Sequence, residues 1–175
     1  MTVTLIKKPN VDDLLLLKKC VWITDISKRG KVPLSLPSDE LLHKLLKARH
    51  SPIRVLQFAF LLEAIPSNTA THLCRHVHAQ PFVSSLRNDR QDVMDGDKAP
   101  RDTPVDMIYY VNAEELMTIA NKRLCLKAAE KTREVVQMMC NLVEKEMPAF
   151  EGLFVAQCVR NGGRCDEPEP CGRWD

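Results

Sequence analysis

The sequence predicts an α+β fold: a twisted β-sheet backed by helices, with one long helix in the C-terminal half. Three observations carry that expectation. Residues 2–6 alternate in polarity as a strand does; residues 53–62 (IRVLQFAFLL) are rich in Val, Ile and Phe and short between breakers; and from Asn112 the chain meets no Gly or Pro until Pro148. With 175 residues, 45% of them hydrophobic and 27% charged, the chain is long and apolar enough to build one real core.

In chain order, the opening strand is followed by Asp12 and Asp13, acids suited to the N-terminus of a short helix over 14–20. Residues 27–37 hold Gly30, Pro33 and Pro37 and read as a loop. Ser38 then serves as N-cap, with Asp39 and Glu40 in the first turn and Leu41, Leu42, Leu45 and Leu46 at helical spacing. The buried strand over 53–62 comes next. Ser67, Asn68 and Thr69 cap a short helix through His76, which Pro81 ends. Residues 88–104 are polar and read as a flexible surface segment suited to a lid. Asn112 and Glu115 have capping-box spacing at the head of the long helix. The stretch 158–175 holds three Gly and two Pro and reads as an irregular tail, so the expected division is a folded domain over 1–157 and a Cys-containing tail over 158–175.

Charge and motif absences narrow the function. A net charge of +2 supplies no broad positive field, which argues against a dedicated nucleic-acid binder, and no apolar run approaches the roughly 18 residues that span a bilayer. Without a leader-like segment the expected location is cytoplasmic. The six glycines form neither a dinucleotide fingerprint nor a P-loop, and no zinc-protease or serine-hydrolase motif is present. Seven Cys is an odd count, read as reduced thiols; Cys158, Cys165 and Cys171, with Cys125 or Cys140, leave a structural zinc site as the alternative, but their spacing lacks CxxC and no metal ligand is assigned.

The densest polar cluster is 72–87. On a helix His72, Arg75 and His76 share one face, and Ser85 and Arg87 follow the Pro81 turn. Guanidinium forks match a phosphate bidentately, so the cluster suits an anion; a solvated basic helix end is the bland alternative. His72, Cys74 and His76 make a poor metal set because Cys74 points to another face.

These residues carry a resemblance. Arg75-His76-Val77, seven residues, then Ser85-Leu86-Arg87 resembles the RHR(x7)S signature of the flavin-dependent thymidylate synthases, the ThyX family. Arg49-His50-Ser51-Pro52-Ile53-Arg54-Val55, continuing to Phe60, is similar to the family's H-x-S-P-F-E-H-x-x-F-T-F strand. Asn112-Ala113-Glu114-Glu115-Leu116, with Asn121, Arg123 and Ala128, resembles its N-A-R-x-L and N-x-R helix. Order and spacing agree over most of 1–150. The chain departs from the pattern at Val77, Arg49, Val55, Glu114, Phe82, Val83 and Thr118, and only 23 residues separate Arg87 from Val111, where the family carries a longer helical segment.

The resemblance implies a ThyX-like fold and a homotetramer whose sites are shared between subunits. It implies FAD, NADPH and methylenetetrahydrofolate as cofactors, and methylation of dUMP to dTMP. Arg75, Ser85 and Arg87 match positions that hold the nucleotide phosphate. Arg123 matches the arginine that touches the pyrimidine and favours its N3-deprotonated form, the one residue with a catalytic role, while His76 and Asn112 match flavin-contacting positions. The implied alternatives are a hydroxymethylase or methylase acting on dUMP or dCMP, and a relative that binds nucleotide or flavin without turnover.

Overall fold

The computed structural model describes residues 1–31, 33 and 35–174; of the loop and tail expected above, Val32, Leu34 and Asp175 lie outside the described residues. Four antiparallel strands, β1 (Thr2–Lys7), β2 (Gln57–Pro66), β3 (Ala79–Val83) and β4 (Pro104–Asn112), form one sheet in the order β1-β2-β4-β3. The helices are α1 (Val11–Ile23), α2 (Asp39–Lys47), α3 (Ser67–Cys74), α4 (Ala113–Arg123), α5 (Glu130–Glu146) and the single turn α6 (Gln157–Arg160). The α+β expectation holds, and α5, at 17 residues, is the long C-terminal-half helix.

Period-two alternation decides which face of the sheet is buried. Val105, Met107, Tyr109 and Val111 of β4 are buried and stand in register with Ile65, Leu62, Phe60 and Phe58 of β2. The intervening residues, Asp106 and Ile108 of β4 and Phe82 of β3, are exposed. The core therefore lies on one side, closed by Leu17 of α1, Leu42 and Leu46 of α2, Leu73 of α3 and Val135, Val136, Met139 and Val143 of α5. A bulge between Leu62 and Ile65 puts Ala64 at φ 51° and turns its N–H to the Asp106 carboxylate at 2.8 Å.

The Ser38 cap of α2 is as the sequence implies, and Asp12 and Asp13 lie in the first turn of α1, although α1 is longer at both ends than 14–20 and its cap, Asn10, is a residue the sequence reading does not name. Asn10 and Asp13 form a reciprocal capping box, and Ser38 Oγ accepts from Leu41 N at 3.2 Å. Four expectations are corrected. The strand over 53–62 begins only at Gln57 and runs on to Pro66, because Pro52 sets up a 3-10 turn over Ser51–Val55. Ser67, Asn68 and Thr69 lie inside α3 and cap nothing; the Ser67 and Asn68 N–H groups are satisfied by the carbonyls of Thr103 and Arg101, each at 2.9 Å.

The third correction is that α3 stops at Cys74, short of His76, and Pro81 sits within β3, an edge strand where a missing N–H is tolerated; the sequence reading places no strand at β3 or β4. The fourth is that the long helix is broken over 124–129. No Gly or Pro is needed, because the Arg133 guanidinium takes the carbonyls of Leu126 and Ala128 at 3.2 and 3.1 Å, and Arg173 from the tail takes that of Leu124.

Residues 88–104 are held by their own side chains. Gln91 Oε1 accepts from Val93 and Met94 N, and Asn88 Oδ1 from Gly96 N. Gly96 lies so close to the Leu86 carbonyl that a Cβ would stand 1.8 Å from its oxygen. The tail starts with α6, which buries Cys158, and continues in turns. No helix among the described residues is long and apolar enough to cross a membrane.

Candidate functional site

Strand β4 passes into α4 without a loop. Asn112 ends the strand in register with Gln57 and caps the helix, its Oδ1 accepting from Glu115 N at 2.9 Å, and Ala113 N donates to Leu56 O. Only half of the expected capping box forms: the Glu115 carboxylate points away from the cap, to His76. The head and tail of α4 are thus both brought against the C-terminal end of α3.

At that end of α3 two side chains donate to carbonyls, one of which, Leu73 O, also accepts from the His76 N–H. Arg123 Nη2 donates to His72 O at 2.9 Å, and the buried Tyr109 hydroxyl to Leu73 O at 3.1 Å. Arg123 Nε also donates to His76 Nε2 at 3.2 Å, while His76 Nδ1 lies 3.2 Å from Glu115 Oε1. His72 Nδ1 meets Thr132 Oγ1 at 2.9 Å on α5.

Burial sets the charges. Desolvation, with Arg123 alongside, pulls His76 from 6.5 down to about 4, and lowers His72 in the same way. Burial raises Glu115 and lowers Arg123, the latter helped by Arg75. As pH falls, the unfolded chain therefore protonates His76 first. The His76 contribution to stability is flat above about pH 6.5 and is lost between about 6.5 and 4, by about 3 kcal/mol at most. The raised Glu115 works with the opposite sign and offsets part of this. Melting curves from pH 7 to 4.5 should show a shallower loss in H76Q than in the wild type, and equal slopes would refute the assignment.

The remaining candidate residues lie outside this hydrogen-bond network, although Arg75 is near enough to Arg123 to lower its pKa. Arg75 is exposed at the C-cap of α3. Ser85 and Arg87 follow β3; Ser85 Oγ accepts from Arg87 N, and the Arg87 fork is bidentate on exposed Asp89 at 2.8 and 2.7 Å. Among the described residues no hydrogen bond joins them to Arg123 or His76. None of Cys125, Cys140, Cys158, Cys165 and Cys171 is in a disulfide, Cys140 is buried in the core, and no three His, Cys, Asp or Glu among the described residues gather as a metal set.

A cavity of about 280 Å³ opens beside the network, lined by Arg54, His78, Asn112, Glu114, Glu115 and Thr118. A larger one, about 530 Å³, lies at the end of α1 among Lys19, Trp22, Ile23 and Lys28, away from every residue singled out by the sequence. At the smaller cavity and beside it, departures from the ThyX pattern meet in pairs. Arg54, at the motif's Glu, forms an ion pair with Glu114, at the motif's Arg, so the two positions carry charges opposite to those of the motif. Arg49, at the motif's His, donates through Nη1 to the Thr118 hydroxyl at 2.9 Å and through Nη2 to Asn121 Oδ1. Buried Asn121 in turn donates to Val155 O.

Sequence reasoning missed Arg49, Glu115, Tyr109 and Asn121 as parts of this site. A signal did exist for one of them: Asn121 shares a helix face with the polar Glu114 and Thr118 at i, i+4 and i+7, and such a polar stripe calls for a polar partner.

The fold is that of solved flavin-dependent thymidylate synthases. Thymidylate synthase X from Helicobacter pylori, solved with FAD and dUMP, superposes with a TM-score of 0.69 over 88% of this chain and 99% of its own, at 15% identity. A second structure of that enzyme with FAD and dUMP gives 0.65. The UMP/dUMP methylase PolB from Streptomyces cacaoi, bound with 5-Br dUMP, gives 0.64 over 87% and 94% of the two chains at 17% identity. No protein-family model and no curated protein matches the sequence.

Proposed function

We propose that the chain is a flavin-dependent pyrimidine nucleotide methylase of ThyX type, converting dUMP to dTMP with methylenetetrahydrofolate and NADPH. The observation that carries this reading is the fixed guanidinium of Arg123. Its Nε and Nη2 are committed to His76 and His72, and a half-buried cation beside a pyrimidine lowers the cost of negative charge on the ring, which favours attack from C5. The fold similarity to proteins solved with FAD and dUMP supports it.

FAD, when bound, supplies the redox chemistry that delivers the one-carbon unit and hydride. The donor set of this chain fits part of that cofactor. Asn112 spends Oδ1 on its cap, leaving its amide N–H groups to donate into the cavity it lines. His76 has both nitrogens engaged and can offer only its ring face, and the Thr118 hydroxyl is taken by Arg49 and the Glu114 carbonyl. A cavity of about 280 Å³ is small for a dinucleotide, so the remaining contacts come from other subunits of a homotetramer, acting in the cytoplasm. The paired replacements Arg54–Glu114 and Arg49–Thr118 favour a second reading, in which the same machinery acts on another pyrimidine nucleotide or adds a hydroxymethyl group.

Calorimetric titration with dUMP and with deoxyuridine tests the proposal. In R87A the loss of a charge-assisted pair to phosphate should weaken dUMP by about 10-fold, the low end of the range, because Arg87 must first leave Asp89. Deoxyuridine should be unaffected. Equal losses for both ligands refute the phosphate role, and a wild-type chain that binds neither dUMP nor flavin refutes the reading.

A further inference from the structure

The directions of the hydrogen bonds around His76 leave no freedom. A guanidinium has only donors, so the contact between Arg123 Nε and His76 Nε2 requires a lone pair on Nε2. The imidazole is therefore neutral with its proton on Nδ1, and Nδ1–H donates to Glu115 Oε1. Only about a tenth of either side chain, His76 or Glu115, is exposed, so little water competes for these bonds. Glu115 is fixed in its turn by the Asn112 cap on its backbone N–H.

We infer that Glu115 is the positioning residue of the site: through His76 Nδ1 it holds the tautomer whose Nε2 grips Arg123, so that the guanidinium meets the pyrimidine already oriented. This rests on the reading of Arg123 as the base-contacting arginine. A free arginine loses much side-chain freedom on binding a ligand; here His76 and the His72 carbonyl have already taken that freedom, and Nη1 is the nitrogen left without a partner among the described residues. With Glu115 removed, neutral His76 can move its proton to Nε2. That presents an N–H to the Nε–H of Arg123, and the grip is lost. The charged and titratable groups around the relay are Arg75 beside Arg123, and Arg49, Glu114, His78 and Tyr109 beside Glu115. Burial keeps His76 neutral at physiological pH.

Nitrogen-15 NMR of the histidine-labelled full-length chain tests the relay without any ligand. Wild-type His76 should show a protonated, pyrrole-type Nδ1 and a pyridine-type Nε2. E115A should shift the ring toward the Nε2–H form and weaken dUMP about 10-fold in calorimetry, whereas E115Q, whose amide oxygen can still accept from Nδ1–H, should restore the tautomer and most of the affinity. A wild-type ring protonated on Nε2 overturns the relay, and this measurement needs no variant to fold. An E115A chain that is folded by circular dichroism and retains wild-type dUMP affinity also overturns it. Failure of the wild type to bind dUMP overturns the nucleotide reading instead, and is told apart by an unchanged Nδ1–H tautomer.

Discussion

R123A is expected to lower kcat/KM for dUMP methylation by about 10²–10³-fold, the loss typical of removing one preorganised donor from developing negative charge. The fall should appear mainly in kcat, because the interaction strengthens as charge builds on the pyrimidine. R123K should recover little. An ammonium can reach either His76 Nε2 or the His72 carbonyl, but cannot span both in the plane that a guanidinium offers. The substitution also leaves the His72 carbonyl and His76 Nε2 without their donor, a cost of about 1–3 kcal/mol in stability. Melting curves recorded beside the kinetics separate the two effects. A folded R123A chain with wild-type kcat/KM would remove Arg123 from the mechanism.

Elements with local signals were legible in the sequence, and those stabilised from a distance were not. Ser38 caps its helix through a contact three residues away, so reading it needs nothing else. The break between α4 and α5 has no local mark, since the carbonyls it exposes are taken by Arg133 and by Arg173, the latter 49 residues on from Leu124. Strand β4 alternates in burial from Val105 to Val111, but in the sequence only Asp106 marks the exposed side, and the strand follows a polar run that reads as loop; Pro81 hides β3 because an edge position cannot be inferred from one strand.

In the candidate site the pattern is the same. Arg123 and His76 are found through spacing that resembles a family motif. Glu115 is passed over because its place in a capping box already accounts for it. Arg49 and Thr118 are 69 residues apart, and their pairing follows only from the fold. The exchange of charge between Arg54 and Glu114 is readable as one event only when both are seen to touch.

F58A should be the most damaging single change to the fold. Phe58 is fully buried at the centre of the sheet, opposite Val111, with ring centroids 6.4 Å from Phe60 and 5.6 Å from Phe150, the latter edge-on. Phe150 stacks on Phe154 at 5.4 Å, so the cavity would open at the junction of the sheet and the C-terminal segments. Phe-to-Ala changes of this kind cost about 3–5 kcal/mol, against a total of about 5–15 kcal/mol, and at this chain length should lower Tm by roughly 6–20 °C. F82A is the control. Phe82 lies beside Ile108 on the open face of the same sheet and is 62% exposed, so in an isolated chain its loss should stay within about 0.5 kcal/mol. If F82A instead costs as much as F58A, and its cost grows with protein concentration, the open face is covered by another copy of the chain. A small F82A effect at every concentration means that no copy of the chain covers this face.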